Sequence, residues 1–161
     1  SNYGSTGKAT AIVRSAYSSA NMIDIYILER ASNTQLRAPT PEYSKQLLEA
    51  IEDKKMLTDS VSIVEGLIRT LDLRLTVTLD RKFEFDESSI ISRIKSLVLS
   101  YFSVDNTDFG EAFHPQDLIR TILQEESQVR FMTVDNMDAP VSISFNEIIQ
   151  LNNFTVGVEY V

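Results

Sequence analysis

The sequence predicts an α+β fold: an antiparallel or mixed sheet with helices on one face, built as a split βαββαβ (ferredoxin-like) core with further β-strands at the C-terminus. Three observations carry that prediction. Residues 67–79 alternate apolar and polar side chains, the period-two pattern of a strand buried on one face. Two later segments, one ending near residue 102 and one starting at residue 115, space their apolar side chains three and four apart, as amphipathic helices do. From residue 22 the elements then follow the order strand, helix, strand, strand, helix, helix, strand.

Each element has its own signals. Residues 1–9, rich in Gly, Ser and Thr, read as a mobile leader, and residues 10–14 as a short strand. Residues 22–29 form a firmer strand, with Ile23, Ile25 and Ile27 on one face and the β-favouring Tyr26 opposite. After a polar loop, Thr40 stands as a helix cap with Pro41 at the first position, where a missing N–H costs nothing. Tyr43, Leu47, Leu48 and Ile51 share the apolar face of that helix. Residues 60–64 read as the next strand and Glu65-Gly66 as a tight turn. In the long strand that follows, Leu67, Leu71, Leu73, Leu75, Val77 and Leu79 fall in one register, with Arg69 as its lone polar member, near the strand's start where it reaches solvent. Asp86 is placed to cap the next helix, striped by Ile90, Ile91, Ile94, Leu97, Val98 and Tyr101. A polar connection turned at Gly110 leads to Pro115, which opens a third helix with Leu118, Ile119, Ile122 and Leu123 inward and Asp117 near the free N–H groups of its first turn. Residues 128–134 read as a strand and 141–145 as its hairpin partner. A short apolar piece, 147–151, precedes a last strand over 155–161.

At 161 residues the chain is long enough to bury one core. It divides into residues 1–20, a flexible leader or short strand; 21–135, the βαββαβ-like core; and 136–161, a C-terminal β extension packed on that core. Ser1-Asn2 without an initiator methionine is the start expected of a piece cut from a longer protein. A net charge of −8 and a pI near 4.6 argue against a nucleic-acid surface, which needs a clustered basic face, and against anionic lipid. With no cysteine there is no disulfide framework, thiolate zinc site or cysteine nucleophile. No apolar run approaches the about 20 residues with which a helix spans a bilayer.

The connection between the last two helices concentrates the candidate chemistry: His114, the single histidine, with Asp105, Asp108, Glu111 and Asp117. A histidine general base needs an orienting partner and a nucleophile in reach. Asp117 is near in sequence, but no serine elbow or second histidine accompanies it, so His114 is read as the extended residue that precedes a helix-opening proline. Asp105, Asp108 and Glu111 suggest oxygen ligands for calcium. Counted as an EF-hand loop from Asp105, the fifth position is Phe109 and the twelfth Gln116, so two ligands fail although Gly110 falls at the sixth. These four residues, Asp105, Asp108, Glu111 and His114, are therefore weak metal candidates, with Phe109 and Phe113 pinning the loop to the core. The N-terminal Gly4-Ser-Thr-Gly-Lys8-Ala9 has too few residues between its glycines for a phosphate loop and an alanine where Ser or Thr must follow the lysine. Asn153-Phe154-Thr155 matches a glycosylation sequon by pattern only. The charge-rich link holding Asp80, Arg81, Lys82 and Glu84 reads as solvation and helix capping. No catalytic, cofactor-binding or metal site is assigned, and the chain is not expected to be an enzyme.

Several local phrases point to a family. Asn21-Met-Ile-Asp-Ile-Tyr-Ile-Leu28, Leu57-Thr-Asp-Ser-Val-Ser-Ile-Val64 and Thr70-Leu-Asp-Leu-Arg-Leu-Thr-Val77 follow one another with a helix after the first. Gly110, Leu118, Ile119 and Val129 then stand at a loop glycine, two helix anchors and a strand start, and Glu147-Ile-Ile-Gln-Leu-Asn152 closes the series. From about Ala20 onward the chain resembles the carboxy-terminal half of the baseplate J-like family, as found among baseplate wedge proteins of T-even-type contractile-tailed phages. It departs from the family's Glu-Ile-Pro-x-Leu-Gly at Ile149 and Asn152, and asparagine tolerates the left-handed conformation that a turn at the glycine position would need. The resemblance implies a structural virion protein of the tail baseplate, assembled in the host cytoplasm. It also implies partners: a second copy of itself, as a homodimer of the full protein, and other wedge proteins. No catalytic residues carry over.

A ferredoxin-like ligand-binding or regulatory domain is the alternative. If the chain works by assembly, contacts are expected on the threonine-rich face of residues 67–79 and on the last strand, with Thr76, Thr78, Thr155 and Tyr160 as the interface candidates.

Overall fold

The computed structural model describes residues 7–15, 21–54 and 59–161. Among them are seven strands and three α-helices, an α+β fold with mixed pairing and a C-terminal strand, as the sequence indicates.

The first sheet is organised on β2 (Asn21–Arg30). β1 (Gly7–Ser15) runs antiparallel along one edge of it. The other edge is shared by the two-residue β3 (Leu36–Arg37), antiparallel, and β4 (Asp59–Glu65), parallel. A parallel pair cannot be joined by a tight turn and needs a crossover, which α1 (Pro41–Glu52) supplies. Thr40 caps α1 as expected, its side chain accepting the Tyr43 N–H at 3.2 Å. β1 spans the predicted short strand and extends from Gly7 to Ser15, and the rest of the expected leader, residues 1–6 and 16–20, lies outside the described residues.

The second sheet has β5 (Leu67–Leu79) at its centre, β6 (Val129–Val134) antiparallel on one edge and β7 (Glu147–Tyr160) parallel on the other. Alternation along β5 works as the sequence reads: Leu71, Leu73, Leu75, Val77 and Leu79 are buried and their neighbours turn outward, Arg69 being exposed. α2 (Glu87–Tyr101) and α3 (Pro115–Glu125) cover that apolar face with Ile90, Ile94, Val98, Leu118 and Ile122, all fully buried. Truncating Ile90, Ile94, Leu118 or Ile122 to alanine is expected to cost roughly 2–5 kcal/mol, lost transfer free energy and cavity combined. Beyond α3, the buried Glu126 carboxylate accepts from Arg93 Nε at 2.7 Å and Nη2 at 3.2 Å, so one guanidinium ties α2 to the start of β6.

The pairing differs from the sequence reading in four places. The strands are shared between two sheets, so the βαββαβ succession does not close into one ferredoxin-like sheet. Gly66 is therefore not the tip of a tight turn: its N–H donates to Ile27 O and the next N–H, of Leu67, to Asn146 O, both at 2.9 Å, and the chain passes from one sheet to the other within one residue. Residues 141–145 do not form a hairpin with β6. β6 gives its ladder to β5, Val141 bridges Phe113 in the hinge (residues 102–114, between α2 and α3), and Phe145 stands edge-on to Tyr26 with ring centroids 5.3 Å apart. Finally, the last strand is continuous from Glu147. A bulge at Asn152, held by its side-chain amide and the Asn153 N–H on one Asp72 carboxylate oxygen (both 3.1 Å), takes the place of a turn, and no described residue other than Gly110 has positive φ.

One local expectation also shifts. Asp86 precedes α2 but makes no side-chain cap bond, because a 3-10 turn, Arg81–Asp86, already continues the helix backwards; Asp80 caps that turn by accepting from Lys82 N–H.

Gly66 is buried where the two sheets meet. A Cβ there would lie 2.7 Å from the Phe109 ring and 3.1 Å from Leu28 Cγ. Gly66→Ala is expected to lower stability by about 1–3 kcal/mol through overpacking, read as an earlier urea midpoint at unchanged slope. Combining it with Phe109→Leu should cost less than the sum of the two single changes.

Candidate functional site

The connection from α2 to α3 is where the sequence gathers its polar candidates. Phe102 ends α2, Val104–Asn106 form one 3-10 turn, and Gly110 (φ 74) reverses the chain toward Pro115. Residues from both sheets hold this loop. The Val104 N–H donates to Asn33 O and the Gly110 N–H to Glu147 O, each at 2.8 Å. Val104 is buried with Leu28, Leu36 and Ile148 in a small core between the sheets, against which Phe109 and Ile68 pack. Phe113 instead joins the large core beneath α2 and α3. Both aromatic anchors thus act as the sequence suggests, each in a different core.

The acidic residues do not converge. Asp105 pairs with Arg30 of β2, and Asp108 with Lys8 of β1 at 3.3 Å. Glu111 lies elsewhere on the loop, and among the described residues no three His, Cys, Asp or Glu side chains come together as a metal site would require. Lys8, the lysine of the phosphate-loop-like phrase, lies in β1 with its ammonium on Asp108. His114 is exposed, in the extended conformation that the following proline favours (φ −109, ψ 110), and makes no cap bond. Asp117 accepts from Arg120 on its own helix at 2.5 Å rather than turning toward His114.

What the loop does border is a half-open cavity of about 370 Å³ between the end of α2, the loop and the outer side of α3. Leu97, Phe102, Phe113 and Ile149 form its apolar lining. Ser100, Asn106, Thr107, Asp108, Glu111 and Glu125 supply polar atoms. Two bonds fix the loop above it: Asn106 Nδ2 donates to Ser100 O at 2.7 Å, and Thr107 Oγ1 to Ser103 O at 3.3 Å. Tyr101 stands half-buried at the wall, edge-on to Phe102 with centroids 5.1 Å apart. Burial raises its phenol above the usual range, and the Asp117 and Glu111 carboxylates add to that, with Arg120 opposing. Sequence reasoning selected this segment but not its cavity, because Leu97, Thr121, Glu125 and Ile149 come from three other elements.

The interface candidates occupy two different places. Thr76, Thr78 and Thr155 lie on the outward face of the second sheet, where Thr76 faces Thr133 and Gly157 across the ladders. Thr76 and Thr133 hydroxyls both donate to Asp135, at 2.5 and 2.7 Å, and hold its carboxyl below the usual range. Tyr160 is on the inward face, opposite Leu79, and its hydroxyl donates to Glu87 at the start of α2.

That hydrogen bond, followed by burial, pushes the Tyr160 phenol up to about 12. A phenol whose pKa is raised in the folded state stabilises it fully below the unfolded pKa of about 10 and loses that contribution as pH rises through the folded value. Glu87→Gln should return Tyr160 toward the ordinary phenol range. Tyrosinate absorbance followed against pH in both proteins checks this; superimposable curves would refute the assignment.

Comparison of the sequence with models of known protein families and with curated proteins finds no match.

Proposed function

We propose that this chain is a structural component of a contractile phage-tail baseplate, the carboxy-terminal part of a wedge protein of the baseplate J-like family, and that it works through subunit–subunit assembly and not as an enzyme. The observation that carries this reading is an open apolar face on the first sheet. The strand registers put Ala9, Ala11 and Val13 of β1, Ile23, Ile25 and Ile27 of β2, and Val61 and Ile63 of β4 on one side. α1 reaches the end of that side, its Tyr43 hydroxyl 2.9 Å from where a Cβ on Gly7 would lie. Among the described residues it leaves the β1 part of that side exposed. Of the eight, Ile27 is buried, Ile23, Ile25, Val61 and Ile63 are half-buried, and Val13 remains 62% exposed. α1 itself buries no residue completely, and Leu48 on its apolar face is exposed. Apolar side chains exposed together along a sheet edge, as Ala9, Ala11 and Val13 are on β1, suit contact with another protein.

The positions that carry the family resemblance support the reading at a second level. Gly110 has positive φ, alone among the described residues, Leu118 is fully buried, Val129 opens β6, and Glu147 to Asn152 form the stretch of β7 that ends in the bulge. The partners are a second copy of the chain and neighbouring wedge proteins, in the virion baseplate after assembly in the host cytoplasm. The outward threonines Thr76, Thr78 and Thr155 offer a further, polar surface.

A ligand-binding or regulatory domain is the second reading, favoured by the hinge cavity. Mass in solution separates the two. The chain should associate with itself or with the products of neighbouring tail genes, and Val13→Asp should weaken that association at least tenfold while leaving the circular dichroism spectrum and urea midpoint close to wild type. A strict monomer that ignores tail proteins would favour the ligand-binding reading.

A further inference from the structure

The hinge cavity has a floor and a rim of opposite character. Phe102 and Phe113 in its floor are 3% and 4% exposed, and Leu97 and Ile149 complete an apolar surface. Asp108, Glu111 and Glu125 stand around it, and no lysine or arginine is among the described residues that line it. Asp108 already faces Lys8. Glu111 and Glu125 have no side-chain hydrogen bond or ion pair among the described residues. Tyr101 adds an aromatic ring, half-exposed, at the same wall.

We infer that this cavity receives an arginine side chain from a neighbouring protein, an inference that rests on the assembly reading above and names the chemistry of one of its contacts. An arginine matches both halves of the site: its methylene stem covers apolar surface while its guanidinium stays at the rim. There it meets the free carboxylates of Glu111 and Glu125 and the Tyr101 ring, which a planar cation engages better than an ammonium does. Other occupants fit worse. An anion would face three carboxylates, and a wholly apolar group would strip water from Glu111 and Glu125 without replacing it. At about 370 Å³ the space is near the small end of ligand sites, roughly 300–1,000 Å³. One side chain with accompanying water fits it; a large cofactor does not.

The probe is n-propylguanidinium, the arginine side chain without its backbone, titrated into the full chain and followed by amide NMR shifts. Its neutral isostere n-propylurea and the anion butyrate serve as controls. The cation should shift amides of Phe102, Asn106, Ala112 and Thr121 saturably, with the urea at least about fivefold weaker and butyrate silent. Glu111→Gln with Glu125→Gln, both at the cavity rim, should weaken the cation about tenfold at an unchanged urea midpoint. The same double variant should lose a similar factor in affinity for the neighbouring tail proteins. Equal binding of cation and urea, or no shifts at these amides, overturns the inference while leaving assembly intact. So does a double variant that loses the probe yet keeps full affinity for its neighbours. If the probe binds as expected but the chain is a strict monomer without partners, the assembly reading fails and the partner arginine fails with it, leaving a site for a free cation.

Discussion

Gly66 is the only residue between the last strand of one sheet and the first strand of the next, and its missing side chain sets how the two meet. Its own N–H goes to Ile27 in the first sheet, and the following N–H goes to Asn146 beside the second. Successive donors are thus committed to different sides of the junction. The space a Cβ would take is filled by the Phe109 ring, carried by the loop that joins α2 to α3. A loop more than forty residues downstream therefore closes a junction made at Gly66, and Leu28, Leu36, Val104 and Ile148 pack around the same point. Interiors of this density transmit a misfit to their neighbours instead of absorbing it, which is why this junction and this loop act as one unit.

The loop's charges follow from that placement. Asp105 on Arg30 and Asp108 on Lys8 join it to β2 and β1, but both acids are largely exposed, and pairs of this kind contribute little, about 0–1 kcal/mol each. The backbone bonds to Asn33 and Glu147 and the burial of Val104 and Phe113 hold it more firmly. Two of its candidate metal ligands are thus drawn apart to separate strands, and Glu111 is left free at the cavity rim. Backbone bonds and apolar packing, more than these ion pairs, hold the loop in place.

How much of this could be read in the sequence depends on how local the cause is. Alternation in β5, the Thr40-Pro41 start of α1 and the stripes of α2 and α3 were all legible, because each is written in neighbouring residues. The Gly66 junction was not. A strand, a glycine and another strand look the same whether the strands pair with each other or belong to different sheets, and Ile27, Asn146 and Phe109, which decide it, are all distant in sequence. Val141 and Phe145 failed as a hairpin partner for a similar reason: their alternation is real, but the Phe113 bridge and the Tyr26 ring take them first. Asn152 shows a third limit. Its tolerance of the left-handed conformation was legible, but the Asp72 carboxylate across the ladder makes a bulge of it instead. For the hinge, the sequence located the segment and its aromatic anchors, while the cavity needs Leu97, Glu125 and Ile149, which only the fold brings there.

The two sheets differ in how completely they are closed, and that difference bears on function. β5 lies between two partners under two helices and buries five residues in a row of its inward register. β2 also lies between two partners, yet its facing helix buries nothing fully, and Val13 on the adjoining β1 stays mostly exposed. At about 25 cal/mol per Å² of apolar surface, leaving such a face open forgoes stabilisation that a tighter helix would provide. The larger buried cluster of the chain lies on the second sheet. The first sheet thus keeps apolar area along β1 that packing among the described residues does not use, and the assembly reading assigns that area to a neighbour.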